Sequence, residues 1–100
     1  MRRSEVIAKL KAAEQTLRAE GVNALYLFGS HACDGADQGS DIDVFVDPAS
    51  SEHFSFLPFM RAYEALRQAF GPEVEIGYST REGLDRYIRA NAEREAVRIF

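Results

Sequence analysis

"FGSHACDGADQGSDIDVFVD" (residues 28–47) decides how this chain is read. Its end, "DIDVFVD" (41–47), sets Ile42, Val44 and Val46 in alternation with Asp41, Asp43, Phe45 and Asp47, the period of a strand. Side chains two apart on a strand share a face, and each residue rises about 3.3 Å, so Asp41 and Asp43 stand about 7 Å apart at Cα. Ile42, Val44 and Val46 then face the core, while Phe45 and Asp47 share the acidic side. Two ionised carboxylates this close repel each other unless they hold a cation or share a proton. Magnesium suits such a place, because it takes one or two carboxylates and completes its shell with phosphate oxygens. The start of the stretch offers the phosphate side. Gly29 and Ser30 follow an apolar run and open a short helix, whose free N–H groups and positive dipole end favour phosphate.

A third acid comes from "EVEIGY" (73–78), read as a strand with Glu73 and Glu75 on one face and Val74 and Ile76 on the other. Glu75 is the preferred candidate because it lies mid-strand, whereas Glu73 adjoins the Gly71-Pro72 turn. Three acids beside a phosphate-binding turn suit a two-metal arrangement that clamps the attacking and leaving oxygens. In phosphoryl-type transfer the protein mainly positions groups and neutralises charge.

The flanking sequence supplies a framework for these residues. Positions 4–20 read as an amphipathic helix with Ser4 as N-cap, Val6, Ile7, Leu10, Ala13 and Leu17 on its apolar side, and Gly21 as its stop. "VNALYLF" (22–28) is a strand covered on both faces. Residues 57–70 form a second helix with Phe59, Met60, Tyr63, Leu66 and Phe70 on one side, ended by Gly71-Pro72. Ser79 or Thr80 caps a third helix carrying Leu84, Tyr87 and Ile88, and Asn91 restarts it through "AEREAVRIF". The expected fold is α/β (α+β): a short mixed sheet against about four helices, with residues 1–100 as one domain.

Composition narrows the function. Sixteen acidic residues stand against 12 basic ones, for a net charge of −4, so strong binding to a nucleic-acid backbone is not expected. No apolar run reaches the roughly 20 residues of a membrane span. "MRRSEVIAKL" lacks the apolar block of a signal peptide and is read as mature protein. A lone Cys33 has no internal partner, which fits a reducing compartment, and a cytoplasmic location is expected. Cys33, His31 and His53 are read as ordinary side chains, and the Phe54, Phe56, Phe59 group as the lid of a small core.

Gly29-Ser30, a spacer, then "SDID" (40–43) followed by "VFV" resembles the Gly-Ser…Ser-Asp-x-Asp motif of the DNA polymerase β-like nucleotidyltransferases. The match is closest to the minimal nucleotidyltransferases, whose whole chain has about this length, and it extends to the ending "GLDRYIRANAEREAVRIF". The resemblance implies the nucleotidyltransferase fold, two Mg2+ ions and a nucleoside triphosphate, usually ATP. It assigns Gly29, Ser30 and Ser40 to nucleotide binding and Asp41 and Asp43 to both metals. Glu75 takes the place of the third acid, commonly Asp in the family, which helps activate the attacking hydroxyl. Proteins of this kind are often antitoxins beside a HEPN-type toxin, and some transfer AMP to a tyrosine of that partner. The family turn usually runs Gly-Ser-x-Ala-Arg-Gly, but here it reads Gly29-Ser30-His31-Ala32-Cys33-Asp34, so the Arg is replaced by Cys33.

Three functions follow from the resemblance. The first is a Mg-dependent transferase moving a nucleoside monophosphate to a hydroxyl of a HEPN toxin. The second is a catalytically weak or inactive antitoxin that neutralises its toxin by direct binding. The third, a toxin acting on transfer RNA, is disfavoured by the acidic balance.

Overall fold

The two apolar segments on either side of the Gly-Ser turn become the centre of a sheet. In the computed structural model, which describes residues 2–29, 41–50 and 52–100, β1 (Val22–Phe28) and β2 (Ile42–Pro48) pair antiparallel. Leu25 lies opposite Val46, Leu27 opposite Val44 and Phe28 opposite Asp43. β3 (Ile76–Thr80) joins β2 in parallel and β4 (Val97–Arg98) joins β1 antiparallel, so the strand order is β3-β2-β1-β4 among the described residues. A parallel join needs a crossover, and α3 (Phe56–Phe70) lies within it. α1 (Arg3–Ala12) and α2 (Glu14–Ala19) precede β1, and α4 (Arg86–Glu95) connects β3 to β4. The result is the expected mixed α/β architecture, with four strands and four helices among the described residues.

One face of the sheet carries the main core. Leu25, Leu27, Ile42, Val44 and Val46 meet Val6, Leu10 and Leu17 from the first two helices and Ala62, Leu66 and Phe70 from α3. Val74, Ile76 and Tyr78 pack against the same cluster. Alternation therefore leaves Glu75, Gly77 and Ser79 on the opposite face, with Asp41, Asp43, Phe45 and Asp47.

Several expectations need correction. Positions 4–20 are two helices, because the Ala13 N–H turns back to the Leu10 and Lys11 carbonyls and tightens the chain between them. Arg2, not Ser4, occupies the first cap, and it makes no side-chain capping bond. Met60 is exposed; the buried side of α3 is Ala62, Leu66 and Phe70, while Phe59 and Tyr63 lean on Tyr78 with ring centroids 4.6 and 5.6 Å away. Phe56 is 72 % exposed and takes no part in a lid, whereas Phe54 packs edge-on against Phe59. His53 is exposed, as expected.

The third strand starts at Ile76 rather than Glu73, since the chain leaves Gly71 (φ 88°) through a turn led by Pro72, which has no N–H for a ladder. β3 runs through Thr80, so the last helix is capped later, by the Asp85 carboxylate accepting from the Tyr87 N–H at 2.9 Å. Its Tyr87 and Ile88 are exposed, not core. The ending is a strand, not a helix. Val97 and Ile99 alternate along it, and Ile99 N–H donates to Leu25 O at 2.8 Å while Leu25 N–H donates to Phe100 O at 3.2 Å.

Tyr78 gives a test of this packing. Its hydroxyl donates to the Phe59 carbonyl at 3.1 Å, and burial pushes its phenol above the ordinary tyrosine range. The unfolded chain then loses this proton first as pH rises, so stability is intact below about pH 10 and falls above it. Denaturant midpoints measured from pH 8 to 11 should fall more steeply in the wild type than in Tyr78→Phe. Parallel curves would refute a buried phenol.

Candidate active site

The acidic face is built from three neighbouring strands. Phe28 on β1, Asp43 on β2 and Gly77 on β3 stand in one row across the sheet. Ile42 pairs with Ile76 and its N–H donates to the Glu75 carbonyl at 3.0 Å, which puts Glu75 beside Asp41 one step along. The register places Asp43 beside Gly77, with Asp41 and Glu75 immediately before the paired residues of β2 and β3. Asp41 and Glu75 are exposed and Asp43 is half-buried. Among the described residues, no three His, Cys, Asp or Glu side chains converge into a set able to hold a metal. What remains among the described residues is a candidate pair, Asp41 just before β2 and Asp43 on it.

Glycine shapes the space around Asp43. Gly29 ends β1 with φ 76°, a conformation that favours glycine, and a Cβ built there would lie 2.6 Å from Asp43 Oδ2. A Cβ on Gly77 would lie 2.5 Å from Asp43 Oδ1. The carboxylate is accordingly spread between two bare stretches of backbone, one oxygen toward β1 and the other toward β3. A cradle that a single added carbon would fill fits a hard cation that takes carboxylate and outside oxygens. Ser30 and Ser40 lie outside the described residues, as do His31, Cys33 and the expected short helix.

The far end of the same face is differently made. Arg81 forms a two-pronged ion pair with Asp47, both contacts 2.9 Å, and reaches Glu93 at 3.2 Å. Its guanidinium lies over Tyr26 at 4.9 Å and Phe45 at 5.0 Å. The hydrogen-bonded Asp47 carboxylate, with its charge, holds the Arg81 proton still more firmly than usual. Asp47 is thereby committed to a cation of the chain itself and stands apart from the Asp41 end. A cleft of about 410 Å³ opens here between Asp47, Ser50, Phe54, Thr80 and Arg81. It lies about 13 Å along the strand from Asp43, measured as four residue rises.

Sequence reasoning missed Gly77 and Arg81. For Gly77 a signal existed, since a glycine inside a strand often marks close approach of another group. Arg81 gave none, because its partners are 34 residues upstream and 12 downstream.

Residues 8–99 match the family described as nucleotidyltransferase domain. The chain belongs to that family. A solved structure named "putative minimal nucleotidyltransferase" is similar to it, with a TM-score of 0.79 and 26% identity over 97% of this chain and 95% of the other. Comparison with curated proteins gave no match. The mixed α/β architecture described above matches the nucleotidyltransferase fold expected for it. No helix among the described residues is long and apolar enough to cross a membrane.

Proposed function

We propose that this nucleotidyltransferase domain moves a nucleoside monophosphate, AMP from ATP, onto a hydroxyl of a protein partner, and that it acts as the antitoxin to a HEPN-type toxin. The observation that carries the transfer reading is the Asp41–Asp43 pair opened onto a glycine-lined cradle. Asp41 and Asp43 hold Mg2+, which when bound neutralises triphosphate charge and steadies the leaving pyrophosphate. Gly29 lets the phosphates approach the backbone closely, and Ser30 and Ser40 supply hydroxyl donors. Glu75, exposed beside Asp41, takes the acceptor proton and orients its oxygen toward the α-phosphorus. The bond from the α-phosphorus to the bridging oxygen breaks as the acceptor oxygen bonds, and pyrophosphate leaves.

A protein acceptor is supported by the surface. The net charge of −4 weakens the case for a nucleic-acid acceptor, and Phe56, Leu57, Tyr87 and Ile88 are exposed apolar side chains of the kind a protein partner covers. Purified protein should label the product of its neighbouring reading frame when given magnesium and ATP carrying a labelled α-phosphate, with the label on a tyrosine. No label on that partner or on RNA, together with no nucleotide binding, would remove the transfer reading.

A second reading has its own motive. The position of the motif arginine is Cys33, so one cation for phosphate is missing from the turn. On this reading the domain neutralises its partner by covering it, and neutralisation persists without magnesium or nucleotide.

A further inference from the structure

We propose that Gly77 is a positioning residue for the metal–nucleotide site: its missing side chain is what lets the Asp43 carboxylate lie across β3. This rests on the transfer reading above. Gly77 pairs directly with Asp43 in the parallel register, so their side-chain positions point the same way from adjacent strands. A Cβ at this point would come within 2.5 Å of Asp43 Oδ1, closer than a carbon and a carboxylate oxygen can stand without one of them moving.

Relieving that contact moves the flexible partner, the Asp43 carboxylate. Its other oxygen occupies the corresponding space over Gly29, 2.6 Å from where a Cβ would sit. Rotation away from β3 therefore drives it toward the end of β1, and any larger swing takes it off the face it shares with Asp41. A shift of about 1 Å in a reacting constellation can cost about 10²-fold in rate, and displaced outer partners cost about 10–100-fold in metal affinity.

Of the two glycines only Gly77 isolates this effect. Gly29 has φ 76°, so any side chain there strains the backbone whatever it touches. Gly77 has no such φ and is exposed in the strand, so alanine suits its backbone, and the carboxylate is the nearest group it meets among the described residues.

The experiment measures binding of Mn2+ with ATP by titration calorimetry, and stability by denaturant, in the wild type, Gly77→Ala, Ser79→Ala, Asp43→Ala and the Gly77→Ala/Asp43→Ala double variant. Ser79 is the control, being the next residue on the same face of the same strand. Gly77→Ala should weaken Mn2+–ATP binding at least about tenfold, while Ser79→Ala stays within about twofold. The denaturant midpoint should fall in Gly77→Ala relative to wild type but not in the double variant relative to Asp43→Ala, because the crowded oxygen is gone. If Gly77→Ala alone fails to fold and the double variant folds, the crowding is confirmed. Wild-type affinity in Gly77→Ala, or failure of both variants to fold, overturns the inference alone. A wild type that binds no Mn2+–ATP overturns it together with the transfer reading.

Discussion

Asp43→Asn lowers nucleotidyl transfer by on the order of 10³-fold and leaves the fold intact. The change keeps the shape of the side chain but removes a charge from the pair proposed to face the triphosphate. Loss of one preorganised electrostatic interaction at a transfer site typically costs about 10²–10³-fold, and Asp43 is central rather than peripheral to this one. It stands in a row with Phe28 and Gly77, with its oxygens spread between two glycines. Stability should change by less than about 1 kcal/mol, because relief of repulsion from Asp41 offsets whatever the neutral amide holds less firmly than the carboxylate. Transfer of a labelled α-phosphate and the denaturant midpoint check the two halves. The same variant separates the two functional readings. If it still binds the partner but no longer neutralises it, transfer is the means; if neutralisation is unchanged, covering the partner is enough. Transfer within about threefold of wild type would falsify the assignment of Asp43.

What could be read from the sequence, and what could not, follows the range of the interactions involved. "DIDVFVD" gave its faces correctly because alternation along one strand is local: Ile42, Val44 and Val46 are buried in the main core and Asp41 and Asp43 are not. That the strand after Gly71-Pro72 lies beside β2 agrees with the expected short sheet, and Ile42 pairs with Ile76 at its start. The ending was lost for the opposite reason. "AEREAVRIF" has helix-forming residues through Glu95, but Val97 and Ile99 are claimed by the open edge of β1, 70 or more residues earlier. Helix propensity is a weak prior beside such pairing. Val97–Arg98 is a strand because β1 is there to receive it. Cap positions failed similarly, since Ser79 and Thr80 are good caps in isolation but belong to β3 here. The Arg81 clamp and the cradle around Asp43 are tertiary and left almost no local mark.

Phe45→Ala is expected to cost the most stability of any single change on the acidic face. Phe45 is fully buried, yet it belongs to the side of the sheet away from the main core, under a second, thinner layer. Its ring stacks on Tyr26 at 4.9 Å and meets Phe28 at 5.6 Å, and Arg81 lies over it at 5.0 Å. Ala24 and Ala92, both small, are the other buried apolar residues outside the main core cluster among the described residues, so little is at hand to fill a cavity. Truncation of a buried phenylalanine costs about 3–5 kcal/mol, a large part of the roughly 5–15 kcal/mol by which domains are stable. Removing the ring from beneath Arg81 adds about 0.5–1 kcal/mol, and the Asp47 pair made by the same guanidinium loses its support. Denaturant unfolding should show a large fall in midpoint with little change in slope. Phe45→Leu, which keeps most of the volume, should cost less than half as much. Because Asp43 and Phe45 are successive residues on one face of β2, metal–nucleotide binding should weaken in the alanine variant even where it remains folded. A cost below about 1 kcal/mol would mean that the aromatic layer does not hold β2 in place, and that the main core alone positions the acids.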